Sequence, residues 1–327
     1  MRRLLFATCS STLRSTLAVA GLLSIASAQA APPVVVRVSR PAPRFDVSDT
    51  LVALSQHVRN TPVADHTVAS ASWLLLAFQE NGSTMKAGPH RVEVRHLVAT
   101  LLELQRPFSG QFASNGLASS RADQIAGALA LLVAFERSQH RPLQRPALLG
   151  GCFAFDRGTW EAALAAKSDA AASTNEEVAL LTLLLSTLSR LTAGAPELAD
   201  QLTDMTGELV ASRKFGKTRR GDAALHLGQL LLGEPHAPEL TVARTWPASL
   251  TADPLHTVFA ILAVSSDEKS LARQSKQIED LLAARVKDGP SAGMWPAAGG
   301  FDETTTTAML AFAIGVANGS PLLAKPK

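Results

Sequence analysis

Residues Gly293–Ala317, GMWPAAGGFDETTTTAMLAFAIGVA, decide the fold of this chain. The segment begins with glycines and a tryptophan, continues through Asp302 and four threonines, and ends in Ala308–Ala317, which has no polar side chain. The same order of features occurs upstream in Gly110–Phe135, GQFASNGLASSRADQIAGALALLVAF, where Ile125–Phe135 is again uninterrupted by polar residues. Two copies of one turn-and-helix pattern indicate an internal repeat.

Six segments share this pattern, in which an acidic or amide residue precedes an apolar run of helical length. Carboxylate and amide side chains at a helix start accept hydrogen bonds from free backbone N–H groups, and a carboxylate complements the positive end of the helix dipole. We therefore predict a helix in each run. The predicted starts and runs are Asp65-His66 with Val68–Phe78, Asp123 with Ile125–Phe135, Asn175-Glu176-Glu177 with Val178–Leu188, Asp222 with Ala223–Leu232, Asp253-Pro254 with Val258–Val264, and Asp302-Glu303 with Ala308–Val316.

Helices that are apolar nearly all round must be buried on every side. Between them lie three segments, Arg91–Gln105, Glu197–Ser212 and Glu268–Val286, whose apolar residues recur at helical spacing and whose other positions are charged. This alternation predicts an array of buried and one-faced helices. An open array would expose one side of every helix, so we expect closure into a double ring. The prediction is all-α, an α/α toroid of about five to six inner and outer helix pairs over residues 49–320.

Residues 1–30 have the features of a secretory signal peptide. The apolar run Leu17–Ile25 is shorter than the roughly 20 residues that span a bilayer. We expect cleavage before Ala31, export to the periplasm or beyond, and no stable membrane span afterwards. A retained N-terminal anchor is the alternative. The features are the basic Arg2, Arg3 and Arg14, the apolar run, and the cleavage site Ala28-Gln29-Ala30.

Residues 31–48 are expected to form an extended lead-in, and residues 321–327 a C-terminal tail. Three of the 31 Lys and Arg residues lie in the signal segment, which leaves 28 to match the 28 acidic residues. A balanced chain lacks the basic surface that binds nucleic acid or anionic lipid, so we expect no nucleic-acid partner. Cys152 is then the single cysteine, and it is expected to be a small buried hydrophobe. A nucleophile assisted by His140 or Arg157 is the alternative.

Acidic residues at the helix starts are the first candidates for chemistry. If the inner helices run parallel, their amino ends meet at one rim. Paired carboxylates in a half-buried mouth can act as acid and base or protonate an alkene. Alternatively each acid caps its own helix, which explains every position without further assumptions. The residues are Asp123, Glu176, Glu177, Asp222, Asp253, Asp302 and Glu303.

Three histidines, His66, His226 and His256, fall near the starts of predicted inner helices. With Asp222 and Asp253, the last two offer side chains of the kind that hold a metal ion. No local ligand motif such as His-x-x-x-His is present, and hydrogen-bonded or solvent-facing histidines are the alternative. We predict no metal and no other cofactor.

The repeat resembles the prenyltransferase and squalene-oxidase repeat, and the likeness extends over roughly Asp49–Asn318. The residues that carry it are Trp73–Phe78 (WLLLAF), Ser109–Phe112 (SGQF), Asp123 with its helix, and Gly293–Trp295 with Thr304–Ala311. The resemblance implies an α/α toroid similar to that of squalene–hopene cyclases.

The chain departs from that family at the positions that carry catalysis. The cyclase motif Asp-x-Asp-Asp is absent, so the resemblance assigns no catalytic residue. The aromatic repeat signature, Gln, spacer, Gly, one residue, Trp, is incomplete, since Gln105 leads to Gly110 and Phe112 instead. Carbocations need aromatic ring faces, yet the chain has no Tyr and four Trp.

These observations favour an exported, non-catalytic binding or scaffold protein that holds an apolar ligand or a protein partner. One alternative is a terpenoid or prenyl cyclase- or transferase-like enzyme with Asp123, Asp222 or Asp302 as the acid. A weaker alternative is a polysaccharide-active enzyme on an (α/α) barrel. The residues expected at the binding surface are Trp73, Asp123, Glu177, Asp222, His226, Asp253, His256, Trp295 and Asp302.

Overall fold

The computed structural model describes residues 44–105, 112–114, 117–138, 179–180, 182–184, 186–187, 218–232, 245–319 and 322. Several sequence predictions concern residues outside these ranges. They are the signal peptide, most of the lead-in and of the C-terminal tail, Cys152, Glu176, Glu177 and the helix expected at Glu197–Ser212.

The described residues form eight α-helices, and every predicted helix that lies wholly among them is present. The helices are α1 (Ser48–Asn60), α2 (Val68–Glu80), α3 (Arg91–Leu104), α4 (Arg121–Ser138), α5 (Arg219–Leu232), α6 (Pro254–Ser265), α7 (Glu268–Ala283) and α8 (Glu303–Ala317). A short 3₁₀ turn, Val63–Asp65, precedes α2. Within the predicted run Val178–Leu188, the seven described residues are helical.

Extended structure in the described ranges is limited to one small hairpin and two isolated bridges. Strands β1 (Ala113–Ser114) and β2 (Leu117–Ala118) pair antiparallel in the turn before α4. The bridges join Gln105 to Phe112 and Ala298 to Phe301. The protein is therefore all-α, as the sequence predicts.

Burial separates the helices into the two expected kinds. All residues from Thr304 to Ala317 of α8 are buried, as are those from Pro254 to Val264 of α6. By contrast, the buried residues of α7 are Leu271, Ile278 and Leu281, one stripe of an otherwise charged helix. Apolar runs are thus buried all round, and amphipathic segments bury one face.

The five described buried helices lie side by side in the order α4, α2, α8, α6, α5. The last helix of the chain therefore packs between the first buried helix, α2, and α6. Among the amphipathic helices, α3 packs against α2 and α4, α7 against α6, and α1 mainly against α8.

Like ends of neighbouring buried helices meet, so these helices run parallel. Asn81, at the end of α2, donates a hydrogen bond to the carbonyl of Ala311 in the second half of α8 (3.0 Å). At the other end of the row, Arg220 in the first turn of α5 pairs with Asp253 at the start of α6 (3.3 Å).

Two further contacts indicate that α4 is parallel to α2 and that α8 is parallel to α6. Arg137, in the last turn of α4, forms an ion pair with Glu80 in the last turn of α2 (2.7 Å). Gly299, just before α8, lies against Pro254 at the start of α6, where an added Cβ would stand 2.8 Å from Pro254 Cδ.

Helix α1 was not predicted from the sequence, and it runs antiparallel to α8. Near its amino end, Phe45 N–H donates to Asn318 Oδ1 (2.9 Å), and Asn318 Nδ2 donates to the Phe45 carbonyl (2.8 Å). Near its carboxyl end, His57 Nδ1 lies 3.4 Å from the Thr304 hydroxyl at the start of α8. Helix α1 is thus attached to both ends of the last helix of the chain.

The turn that carries Trp295 fixes α7 to α8. The indole of Trp295 is fully buried, and its N–H donates to the Leu281 carbonyl of α7 (2.8 Å). Its backbone N–H donates to the Thr307 hydroxyl of α8 (3.0 Å), which in turn donates to the Trp295 carbonyl (3.2 Å). Because all three groups are buried and satisfied, this turn has one stable position between the helices.

Candidate functional site

The parallel helices bring the amino ends of α2, α4, α5, α6 and α8 to one side, and we call this surface, with the residues that precede each helix, the amino-terminal rim. Most of the acids and histidines expected at the binding surface lie on it. Glu177 lies outside the described residues.

Asp302 and Asp253 are helix caps. Asp302 Oδ1 accepts from the backbone N–H of Thr305 (2.7 Å), and its Oδ2 accepts from the Thr305 hydroxyl (3.0 Å). Asp253 Oδ1 accepts from the backbone N–H of His256 (3.0 Å), while its Oδ2 contacts Arg220. Both carboxylates therefore satisfy backbone donors that the helix geometry leaves free.

Asp123 is part of a cap but is not the capping residue. The Ser120 hydroxyl accepts from the backbone N–H of Asp123 (3.2 Å) and donates to Asp123 Oδ2 (2.7 Å). In this form of the capping box, the serine caps the helix and the acid three residues later supports it.

Asp222 differs from the other rim acids because it is buried, with 4% of its surface exposed. The Thr218 hydroxyl, four positions earlier, accepts from the backbone N–H of Gly221 (3.1 Å), so a threonine caps α5. The sequence pattern predicted Asp222 as the cap of this helix, and that prediction is wrong because Thr218 is the cap. His226, one turn later on α5, is buried as well.

The helix start expected at Asp65-His66 also shifts by one or two residues. The Thr67 hydroxyl accepts from the backbone N–H of Ser70 (3.1 Å) and caps α2, while Asp65 belongs to the preceding 3₁₀ turn. Threonine supplies the same kind of acceptor as aspartate, so the sequence pattern alone does not distinguish them.

His256 is occupied by a structural hydrogen bond. Its side chain is buried, and Nε2 lies 2.7 Å from the carbonyl oxygen of Thr245, which accepts a hydrogen bond from the Nε2–H group. Among the described residues, no group of three or more His, Cys, Asp or Glu side chains is arranged to hold a metal ion.

The two tryptophans expected at the binding surface lie in the core. Trp73, in the middle of α2, is buried and packs against Phe312 of α8 with ring centroids 5.6 Å apart. Trp295 is bonded as described above, and the guanidinium of Arg285 lies 5.8 Å from its ring centroid.

Three histidines that the sequence did not group meet at one corner of the rim, and we call His57, His66 and His96 the histidine cluster. The ring centroids of His57 and His66 are 6.4 Å apart, and those of His66 and His96 are 6.1 Å apart. They come from α1, the residue preceding the Thr67 cap, and α3. His57 and His96 lie on amphipathic helices, and the spacing of the three histidines in the sequence does not indicate that they meet.

Burial controls the charge of the cluster. Desolvation is the main cause that lowers the pKa of His66 to about 4, and the neighbouring His57 and His96 lower it further. The pKa of His57 is also lowered, mainly by burial, although Asp302 and Glu303 oppose that shift. At neutral pH, His66 is therefore neutral.

A charged cluster joins α1 to α3 beside these histidines. Glu93 Oε1 accepts from the Ser55 hydroxyl (2.8 Å) and from Arg59 Nε (2.6 Å). Burial raises the pKa of Glu93, but hydrogen bonds and the Arg59 charge outweigh it, so the net pKa is lowered. The carboxylate thus stays charged and holds the two helices together.

A surface pocket of about 280 Å³ lies between the second half of α7 and the segment Trp246–Thr251. It is lined by Trp246–Thr251 together with Gln277, Asp280, Leu281 and Ala284. Cavities that bind small molecules usually have volumes of about 300–1,000 Å³ and enclose most of the ligand. This open depression is below that range.

Comparisons with family models, with curated protein sequences and with solved structures gave no match. In the described part of the chain, no helix has both the length and the apolar character needed to cross a membrane.

Proposed function

We propose that this protein is an exported, non-catalytic binding or scaffold protein built on an α/α toroid, and that it presents its amino-terminal rim to a protein partner. The observation that supports this most directly is the use of the rim acids. Asp253 and Asp302 accept backbone N–H bonds, and Asp123 supports a serine cap. Carboxylates engaged in this way are poor proton donors for a substrate.

The order of the helices supports the toroid. In a closed ring, the last inner helix returns to the first, and α8 packs extensively against α2. Helix α1 covers this junction in the position of an outer helix. The helical residues between Ala179 and Thr187 fall between α4 and α5 in sequence, where a sixth inner helix is expected.

Burial favours a protein partner over an apolar ligand inside the ring. The residues of α6 and α8 named above are inaccessible to water on all sides. Helices that lined an open apolar cavity would expose part of one face to it. Charged residues such as Asp65 and Arg219 are exposed at the rim and remain available for contacts.

The experiment is to purify the mature protein from its native host and analyse what accompanies it. We expect mature chains that begin at Ala31, a protein partner in stoichiometric amount, and no stoichiometric lipid in an organic extract. Reversing the rim charges Asp65 and Arg219 should remove the partner, whereas reversing the exposed Lys276 on α7 should not. A stoichiometric lipid would contradict the choice of partner.

A second candidate, an enzyme of the cyclase or transferase type, is favoured by one observation. Asp222 is a buried carboxylate on the rim, and its helix is capped by another residue. A neutral Asn at this position cannot transfer a proton at useful pH. Turnover of a prenyl substrate that is lost in Asp222→Asn, with unchanged unfolding, would select this candidate over the first.

A further inference from the structure

The histidine cluster lies where α1 meets three other helices. His57 and Thr304 connect α1 to α8, while His66 lies between His57 and His96 of α3. His66 is 3% exposed, so its imidazole reaches water only if the surrounding helices separate. The cluster therefore couples a titratable group to the docking of α1.

The groups around His66 do not compensate a positive charge on it. The Nε2 atoms of His66 and His96 are buried and have no hydrogen-bond partner within the described ranges. The titratable groups that act on His66 are His57, His96 and the exposed Asp65, and of these only Asp65 favours its protonation. Asp302 and Glu303 of α8 act on His57 instead.

On the same side of α1, Glu93 of α3 faces Arg59 and influences His90. Burial lowers the pKa of His90 as well. The pKa of Glu93 is below its ordinary value, so the Glu93–Arg59 pair stays charged between pH 7 and pH 5.

We propose that the histidine cluster makes the docking of α1 sensitive to acid, so that protonation of His66 favours a state in which the carboxyl end of α1 has separated from α2, α3 and α8. The amino end stays attached through Phe45 and Asn318 and through the Thr50 hydroxyl, which donates to the Gly293 carbonyl (2.7 Å). The separation begins at His57 and Arg59 and exposes the corner of the rim that α1 covers.

The sign follows from linkage. A histidine whose pKa is lowered in the closed state binds protons more readily in the open state. The closed state therefore has its full stability above the ordinary pKa of histidine, 6.5, and loses it as the pH falls toward about 4. The Glu93 interaction is lost only below the ordinary pKa of glutamate, 4.5, so it does not contribute to a loss of stability between pH 7 and pH 5.

Hydrogen exchange of the full chain at pH 7 and pH 5, corrected for the intrinsic exchange rates, tests the proposal. Between these values, we expect the protection of the amides in Leu54–Asn60 to fall about twentyfold, as calculated from linkage for His66 alone, whose pKa is about 4 in the closed state and 6.5 when free. Protection in α6 should change less than twofold. Equal losses in both helices, or no loss in α1, would overturn the proposal.

Variants assign the effect to His66. In His66→Gln, which does not titrate, the protection of α1 should be the same within about twofold at both pH values. His66→Phe provides a second, apolar replacement if the glutamine variant fails to fold. Ser55→Ala is the matched control at the same corner. It removes a bond to Glu93, so it should lower protection at both pH values and keep the twentyfold difference. A twentyfold difference that persists in both His66 variants would contradict the assignment.

Discussion

Both copies of the turn-and-helix pattern position a buried helix, but the turn before each helix is held by different interactions. In the downstream copy, Trp295 is held by its indole N–H and by two bonds to Thr307. In the upstream copy, the buried Phe112 occupies the corresponding place before α4, and its ring packs close to Gly127 of that helix. One turn is fixed mainly by hydrogen bonds and the other by packing.

The starts of α8 and α4 are also stabilised by different residues. Asp302 caps α8 by itself, whereas α4 is capped by Ser120 with Asp123 in support. All four threonines of Thr304–Thr307 are buried and hydrogen-bonded to neighbouring segments or to the cap. In the upstream copy, Gln124 is the single residue between Asp123 and the apolar run Ile125–Phe135. A repeat thus preserves the position of its helix while its local interactions change.

The largest difference between the copies should appear when the aromatic residues are truncated. Trp295→Ala is expected to lower the free energy of unfolding by about 4–5 kcal/mol, since it leaves a large cavity and removes the buried hydrogen bond made by the indole. Phe112→Ala should cost about 3 kcal/mol, because only packing is lost. Urea unfolding of both variants measures the difference. A larger loss for Phe112→Ala would reverse the comparison.

The glycines of the two helices provide a matched second test. A Cβ on Gly315 of α8 would stand 2.7 Å from Asn81 Nδ2 and 2.9 Å from Glu80 Cβ, whereas one on Gly127 of α4 would stand 3.2 Å from the Phe112 ring. Alanine favours a helix over glycine by about 1 kcal/mol. Overpacking typically costs about 1–3 kcal/mol.

We expect overpacking to outweigh helix propensity at Gly315 and nearly to balance it at Gly127. Gly315→Ala should therefore destabilise the protein by about 1–2 kcal/mol, and Gly127→Ala should change its stability by less than about 0.5 kcal/mol. Thermal unfolding of the two variants under the same conditions measures both. A neutral Gly315→Ala would show that α2 and α8 can separate slightly without cost.

The helices were predictable from sequence because each apolar run carries its own start signal and enough hydrophobic surface to require burial. The six predicted runs needed no long-range information. Helix α1 was missed because its buried apolar residues, Leu51, Leu54 and Val58, form a sparse stripe without an apolar run of helical length. Its position depends on Asn318 and Thr304, which are distant in sequence.

The candidate site was less predictable for the same reason. Acidic residues near helix starts were found, but whether an acid, a serine or a threonine caps a helix depends on one residue of register, as Thr67 and Ser120 show. The histidine cluster joins His57, His66 and His96 through the packing of three segments. No spacing in the sequence indicates that contact.

The threonine bond of the downstream turn should have an intermediate effect. Thr307→Val keeps the side-chain shape but removes the hydroxyl that accepts a hydrogen bond from the buried backbone N–H of Trp295. An unpaired buried donor costs about 1–3 kcal/mol, and we expect about 1–2 kcal/mol here. Urea unfolding should show this loss, whereas Thr307→Ser, which retains the hydroxyl, should lose less. Equal losses would mean that the methyl group contributes as much stability as the hydroxyl.

The smallest effects concern the cap of α8, and they distinguish a structural acid from a catalytic one. Asp302→Asn retains an oxygen for the Thr305 N–H, and the new amide can donate to the Thr305 hydroxyl. The remaining loss is the interaction of the charge with the helix dipole, about 0.3–1 kcal/mol. Asp302→Ala removes the cap and should cost about 0.5–2 kcal/mol. Ser120→Ala should have a similar effect on α4 if the two caps are equivalent.

Because Asp302 raises the pKa of His57, Asp302→Asn should shift the titration of His57 to lower pH, which NMR can measure. An Asn variant that unfolds like the wild type yet loses all function would instead identify Asp302 as a catalytic acid.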